Sequence, residues 1–304
     1  MAARRIAITG SSGLIGGALA RALDADGDEV VRVVRPGSSS AGGAVARWDV
    51  EAGTIDAAAL EGLDAVVHLA GEGIAEKRWN DEQKRRILES RTKGTTLLAR
   101  TLAELSAPPK VLVSGSAIGY YGDRGDEVLD ETSGPGKGFL SDLVVAWEAA
   151  AQPAADAGIR TAFIRTGIVL DGDGGILGKT GVLYKLGLGG RLGSGRQWMS
   201  WVSLTDQVAA IRFIIERDGL EGPVNVTGPA PVTNAEFTKA VGAVVHRPTF
   251  LAVPRFAPAL LVGKELAENL LFASQRVQPT VLEREGIPFE HREVTAAVRS
   301  ALGR

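Results

Sequence analysis

The 304-residue sequence contains no cysteine, so disulfides, thiolate metal sites and a cysteine nucleophile are excluded. Histidine is nearly as scarce. His68, His246 and His291 are scattered along the chain, and no metal site is expected. No apolar run approaches the ~18 residues of a membrane span, so no membrane partner is expected. The chain enters a strand-like run at Arg5, without the apolar stretch of a signal peptide, and the expected location is the cytoplasm. Charge of one sign is also missing. The net charge of −2 offers no basic surface for nucleic acid and no acidic tail for a basic partner. Glycine, by contrast, is plentiful at 39 residues. The 45% hydrophobic content is ordinary for a globular chain able to bury a large core.

Three of those glycines carry the strongest signal. Gly10, Gly13 and Gly16 follow the apolar run Arg5–Thr9 and precede the helical pattern Leu14–Ala25. A strand, a glycine turn and a helix in this order suit a dinucleotide. The first glycine permits the turn, the second lets backbone approach a pyrophosphate, and the third lets helix and strand pack closely. The helix start then offers free N–H groups to phosphate. Gly10, Ser11, Ser12, Gly13, Leu14 and Ile15 are the expected cofactor contacts of this turn. No Gly-Lys-Ser/Thr follows Gly10, which excludes a P-loop.

Further strands are expected at Glu29–Val34, Val45–Asp49, Ala65–Leu69, Lys110–Ser114 and Arg160–Arg165. Helices are expected near Asn80–Leu105 and Leu140–Ala157. Short buried runs alternating with amphipathic helices predict an α/β fold, a Rossmann-like doubly wound parallel sheet. After Gly167 the sequence is loop-rich through Gly190. Order returns at Asp206–Arg217, Pro223–Val226 and Asn234–Val245. The expected division is a nucleotide-binding domain over 1–247, its substrate region mainly after 167, and a small helical C-terminal module over 248–304.

The second strand ends at Val34-Arg35. An acid there would select NAD through the ribose hydroxyls, whereas a guanidinium suits the 2′-phosphate of NADP. Arg35 therefore predicts NADP(H), against the alternative of an exposed loop arginine. Asp49 either accepts from adenine or caps a turn. The small residues after Leu69, Ala70 and Gly71, leave room for the ribose and nicotinamide half. Ser114 and Ser116 end the next strand on the same carboxyl edge. Trp198, Met199 and Trp201, with Trp79 opposite, either wall a substrate pocket over the glycine-rich segment 187–201 or anchor the core of an irregular region. Arg191 and Arg196 alone supply positive charge there.

These pieces resemble the extended branch of the short-chain dehydrogenase/reductase superfamily, and more closely its atypical epimerase-family subgroup. The residues that carry the resemblance are Thr9–Gly16, Val67–Glu72, Arg78-Trp79, Ser90–Lys93, Ser116–Gly122 and Trp147–Ala150. They continue through Ile164–Leu170, Gly187–Gly195, Trp201–Asp206, Thr233–Phe237 and Gln275–Pro279, so essentially the whole chain is covered. The resemblance implies NADP(H) binding, with Val34 and Arg35 on the adenosine side and Leu69 and Ala70 on the ribose side. It also places Arg91 and Arg165 near the cofactor, where the alternative is that they form surface ion pairs. The implied function is that of an oxidoreductase or epimerase acting on a small carbonyl, alcohol or sugar-like substrate, as a monomer or homodimer.

One part of the family pattern is broken. Most members carry Tyr-x-x-x-Lys on the helix after the fifth strand. Ser116 matches their serine, but Phe139 and Leu143 stand where the tyrosine and lysine are expected, and neither ionises. Two expectations follow. In one, an enzyme uses a displaced acid/base, with Tyr121 foremost and Tyr120, Glu72 and Asp123 as alternatives. In the other, the protein binds NADP(H) without chemistry, as a sensor or scaffold.

Overall fold

A computed structural model describes residues 3–38 and 43–304. Eight strands form the central sheet: β1 (Arg5–Thr9), β2 (Glu29–Val34), β3 (Ala44–Asp49), β4 (Thr54–Ile55), β5 (Ala65–His68), β6 (Val111–Ala117), β7 (Arg160–Thr166) and β8 (Gly222–Val226). Their order is β8-β7-β6-β5-β1-β2-β3-β4. All neighbours run parallel except the short β3–β4 pair. The chain starts in the middle, winds outward through β2–β4, and returns through β5 to build the other half. The direction reverses between β1 and β5. At such a switch point the two loops diverge and leave a crevice at the carboxyl ends.

The strands are nearly continuous Val, Ile and Ala because both faces are covered. Helix α1 (Leu14–Ala25) lies on one face, together with Leu204–Glu216. Helix α2 (Asp81–Glu104) lies on the other, where Leu98, Ala99 and Leu102 meet Val66 and Leu112. Asn80 starts α2 by accepting the Gln83 N–H. Leu98 and Leu102, like Leu140, Leu143 and Val144, are buried within the chain's own core.

The expected helix Leu140–Ala157 is two helices, α3 (Phe139–Ala149) and α4 (Gln152–Asp156). Pro153 lacks the N–H that a continuous helix needs and sits in the first turn of α4 instead. The expected loop after Gly167 also contains an eleven-residue helix, α5 (Gly175–Lys185). Its glycines mask a buried stripe of Leu177, Gly181 and Tyr184, which packs toward helix α7 (Asn234–Val245), the helix that follows α6 (Leu204–Glu216) in the chain. The Asp171 carboxylate leads into α5 by accepting the N–H groups of Asp173 and Gly174.

The last fifty residues thread through the rest of the molecule. Leu251–Val253 pairs with Gly190–Leu192, and Arg276–Val277 pairs with Val128–Leu129. Leu282 enters the core under the sheet, and the terminal helix Val294–Ala301 covers α7. No described helix is long and apolar enough to cross a membrane.

Candidate functional site

The glycine turn closes against the neighbouring loop. Gly10 has φ +68°, and a Cβ there would lie 2.9 Å from Leu69 C. A Cβ on Gly16 would fall on the carbonyl of Gly10, with Gly10 C 2.9 Å away. Both positions therefore exclude any larger residue. Gly13 N–H donates to Gly10 O at 2.9 Å, and Gly13 opens α1 with no side-chain cap. The first N–H groups of α1 are left for an anion. Ser12 and Gly13 are exposed there, while Ser11 and Ile15 are half-buried. Leu14 is 37% exposed and touches the Gly174 side of the later loop.

Thr9 and His68 pin the crevice. Thr9 Oγ1 accepts the N–H groups of Leu69 (3.0 Å) and Ala70 (3.1 Å), so its own proton goes to His68 Nδ1 at 2.8 Å. His68 then carries its proton on Nε2 and donates to Thr95 Oγ1 at 2.9 Å. Burial, helped by the Arg91 charge, pushes His68 down to about 4, so the ring is neutral. Arg91 Nη1 donates to the carbonyls of Glu72 and Ile87, and its guanidinium stacks on Trp147 at 4.9 Å. Burial lowers it to about 10. Arg91 lies directly beneath Gly71 and props the Leu69–Gly71 loop.

At the carboxyl end of β2, Val34 is half-buried and Arg35 is exposed. No acidic partner holds Arg35 among the described residues. Asp49 Oδ1 accepts the N–H groups of Glu51 and Ala52, which is the turn-capping role.

On the opposite side of the crevice, β6, α3, β7 and β8 bring five polar side chains together. Ser116 Oγ donates to Glu148 Oε1 at 2.6 Å. Arg165 faces Ser116 across the β6–β7 register and grips both Glu148 oxygens at 2.9 Å. Its Nη1 donates to the Tyr121 hydroxyl at 3.1 Å, and that hydroxyl donates to Asn225 Oδ1 at 2.7 Å. Burial opposes the Arg165 charge, but Glu148 outweighs it and raises the guanidinium above its usual range. The Arg165 guanidinium also sits 3.4 Å from the centre of the Tyr120 ring. Tyr121 is fully buried, and burial pushes its phenol up to about 12. Ser114, one pleat away, is fully buried, and its Oγ has no hydrogen-bond partner.

Phe139 packs edge-on against Trp79 at 5.1 Å, and Leu143 is buried among Ile87 and Leu140. The expected tryptophan walls are only partly present. Trp201 and Met199 are core residues packed with Phe237 and Val241, because the chain re-enters a strand at Trp201–Ser203. Trp198 is half-buried, donates to Asp126 and carries the Arg276 guanidinium on its ring. Glu148 was not singled out by sequence reasoning, although the β6–β7 pairing places both of its partners side by side.

The model of the NAD-dependent epimerase/dehydratase family matches residues 6–166, and that of a domain of unknown function, DUF1731, matches 253–301. The epimerase family protein MT2273 of Mycobacterium tuberculosis is 46% identical over 304 residues, covering 100% of this chain and 99% of its own. A crystal structure of human epimerase family protein SDR39U1 with NADPH superposes with a TM-score of 0.88 at 33% identity, covering 98% of this chain and 99% of that one. A nucleoside-diphosphate sugar epimerase from Corynebacterium glutamicum gives 0.82 at 37% identity, covering 99% of this chain but 59% of that longer one. The glycine turn, the switch-point crevice and these matches agree: the chain belongs to the NAD-dependent epimerase/dehydratase family of extended short-chain dehydrogenase/reductase proteins, with the epimerase family proteins related to SDR39U1.

Proposed function

We propose that the protein is an NADP(H)-dependent oxidoreductase or epimerase-like enzyme acting on a small carbonyl, alcohol or sugar-like substrate, in the cytoplasm, as a monomer or homodimer. The observation that carries this reading is the glycine turn, where Gly10 and Gly16 leave no room for a Cβ beside the uncapped start of α1. That cradle fits a pyrophosphate. Arg35, exposed at the end of β2, suits a 2′-phosphate. The human relative crystallised with NADPH supports the same choice.

Bound NADP(H) supplies or takes a hydride at its nicotinamide. The chain's part is to orient it and to move a proton. Leu69, Ala70 and Gly71 offer backbone to the ribose side, with Arg91 supporting them from below. The orphaned Ser114 hydroxyl faces the same carboxyl edge as Ser116. Ser116, which stands where the family carries its serine, is the hydroxyl this reading assigns to the reacting group. Tyr121 holds Arg165 in place; a phenol raised to about 12 and engaged at both ends is a poor proton donor near neutral pH.

A second reading, a sensor or scaffold that binds NADP(H) without turnover, is favoured by the apolar packing of Phe139 and Leu143. Titration with NADPH and NADH, followed by nicotinamide fluorescence, tests the first claim. At least a tenfold preference for NADPH, about 1.4 kcal/mol, is expected. Binding of neither overturns both readings. NADPH oxidation by any of a panel of aldehydes, ketones and sugars then separates enzyme from sensor.

A further inference from the structure

Glu148 is a carboxylate almost out of water, yet it holds the Ser116 hydroxyl at the carboxyl end of β6. Its side chain is 13% exposed and that of Arg165 is 4% exposed. Burying such a pair costs desolvation, and apolar residues of the same volume often serve stability as well or better. The pair also does more than neutralise itself. Glu148 Oε1 accepts from both Ser116 Oγ and Arg165 Nε, and Oε2 accepts from Arg165 Nη2. The Ser116 contact of 2.6 Å is in the range of a hydroxyl bonded to a charged oxygen.

We propose that Ser116 and Glu148 form the proton relay of this site, with Ser116 as the catalytic hydroxyl and Glu148 acting through it. This rests on the oxidoreductase reading above. The other ionisable groups that pack around the pair are already committed. The Arg165 guanidinium stays charged and serves as the clamp. The Tyr121 hydroxyl is held between Arg165 and Asn225. His68 is neutral, with both ring nitrogens bonded to threonines. Arg91 stacks on the Trp147 ring, and its hydrogen bonds go to the carbonyls of Glu72 and Ile87. Asp123 is exposed and accepts the N–H groups of Gly125 and Ser274.

The transfers balance. When a substrate alcohol is oxidised, its O–H bond breaks and the proton passes to Ser116 Oγ. The former Oγ–H proton passes at the same time to Glu148 Oε1. The hydride leaves the carbinol carbon for oxidised NADP. Carbonyl reduction runs both proton transfers backwards, with Glu148 returning the proton. Oxidation therefore needs Glu148 Oε1 to accept a proton through Ser116, and reduction needs Glu148 to return one by the same contact.

The test compares Glu148→Gln, Glu148→Asp and Ser116→Ala with the unaltered protein. Each is titrated with NADPH and assayed for NADPH oxidation across pH, using a panel of aldehydes and vicinal diketones. Glu148→Gln is expected to bind NADPH within about threefold of the unaltered protein while losing at least ~100-fold in kcat, with little change in KM. Glu148→Asp should recover at least about tenfold of the loss, and adding Ser116→Ala to Glu148→Gln should cost almost nothing more, because the two act as one unit. Turnover within tenfold of the unaltered protein in Glu148→Gln overturns the relay and leaves the oxidoreductase reading standing. If Glu148→Gln no longer binds NADPH, Ser116→Ala decides, since it leaves the ion pair whole: near-normal turnover overturns the relay. An unaltered protein that binds NADPH but oxidises it with no member of the panel overturns the relay and favours the sensor. One that binds no NADPH overturns the reading beneath it.

Discussion

Up to Thr166, apart from the two-residue strands Thr54–Ile55 and Val128–Leu129, strands of four to seven residues pair in one parallel sheet, with helices packed on its two faces. Beyond Thr166, apart from β8, which completes that sheet, strands of two or three residues pair with partners far along the chain, such as Gly190–Leu192 with Leu251–Val253. The first half is held by an apolar core on two faces. The second relies more on polar tethers. Ser200 Oγ donates to Gln275 O and accepts from Val277 N. Asp206 accepts the N–H groups of Glu290 and His291, and the Ser203 hydroxyl as well. The glycines differ in the same way. Gly10 and Gly16 are jammed against backbone, whereas Gly181 has nothing within 4 Å of where a Cβ would sit. A nucleotide cradle needs fixed backbone, and a half built on hydrogen-bonded tethers can re-shape around a substrate without unfolding the cradle.

The sharpest break of this comparison uses two helical glycines. Gly16→Ala drives a methyl into the Gly10 carbonyl. It is expected to cost about 3 kcal/mol in urea unfolding and to weaken NADPH binding by more than ~100-fold. Gly181→Ala meets open space inside α5 and should stabilise by about 0.5–1 kcal/mol, through the unfolded chain, with NADPH affinity unchanged. Equal losses in both variants would mean that the halves are equally rigid.

Acid should strike the first half before the second, through His68. Its folded value of about 4 lies below the ordinary 6.5. Between those values the unfolded chain binds a proton that the folded chain refuses. Stability therefore falls as pH drops from 6.5 toward 4, by up to about 3 kcal/mol. Urea midpoints at pH 7, 5.5 and 4.5 measure this slope, and His68→Gln should flatten it. An unchanged slope in that variant would assign the acid sensitivity elsewhere.

Arg35 sharpens the comparison on the ligand side. Arg35→Asp replaces a solvent-exposed cation at the end of β2. It should leave stability within about 0.5 kcal/mol, as for most surface changes. NADPH affinity should drop at least tenfold, about 1.4 kcal/mol, relative to NADH. A variant that still prefers NADPH would remove Arg35 from the cofactor site.

The two halves were also unequally legible in the sequence. Strands β1–β3 and β5–β8 and the glycine turn could be read from apolar runs and punctuation, because each is a local βα unit whose pattern is complete within about 30 residues. Helix α5 could not, because its three glycines and short buried stripe resemble a loop until α7 is there to cover it. Trp201 looked like a pocket wall because an aromatic in a glycine-rich stretch carries no sign of which side it faces. Glu148 was hidden for a different reason. Its partners stand on two strands, and their adjacency exists only once β6 and β7 pair in register.

The smallest effect asks whether the two halves unfold together. Thr233 caps α7 in a reciprocal box: its hydroxyl accepts the Glu236 N–H, and Glu236 in turn accepts the Thr233 N–H at 2.7 Å. Thr233→Ala should cost about 1 kcal/mol. Helix α7 belongs to the second half, but it is covered by Val294–Ala301, and the same tail inserts Leu282 and Phe289 into the core beneath the sheet. Loosening α7 therefore pulls on a segment that the first half also needs. A single thermal transition is expected, moved down by a few degrees and identical when followed by tryptophan fluorescence and by far-ultraviolet circular dichroism. Two separated transitions would mean that the tethers around Ser200 and Asp206 carry too little to join the halves, and that the C-terminal segment unfolds as a module of its own.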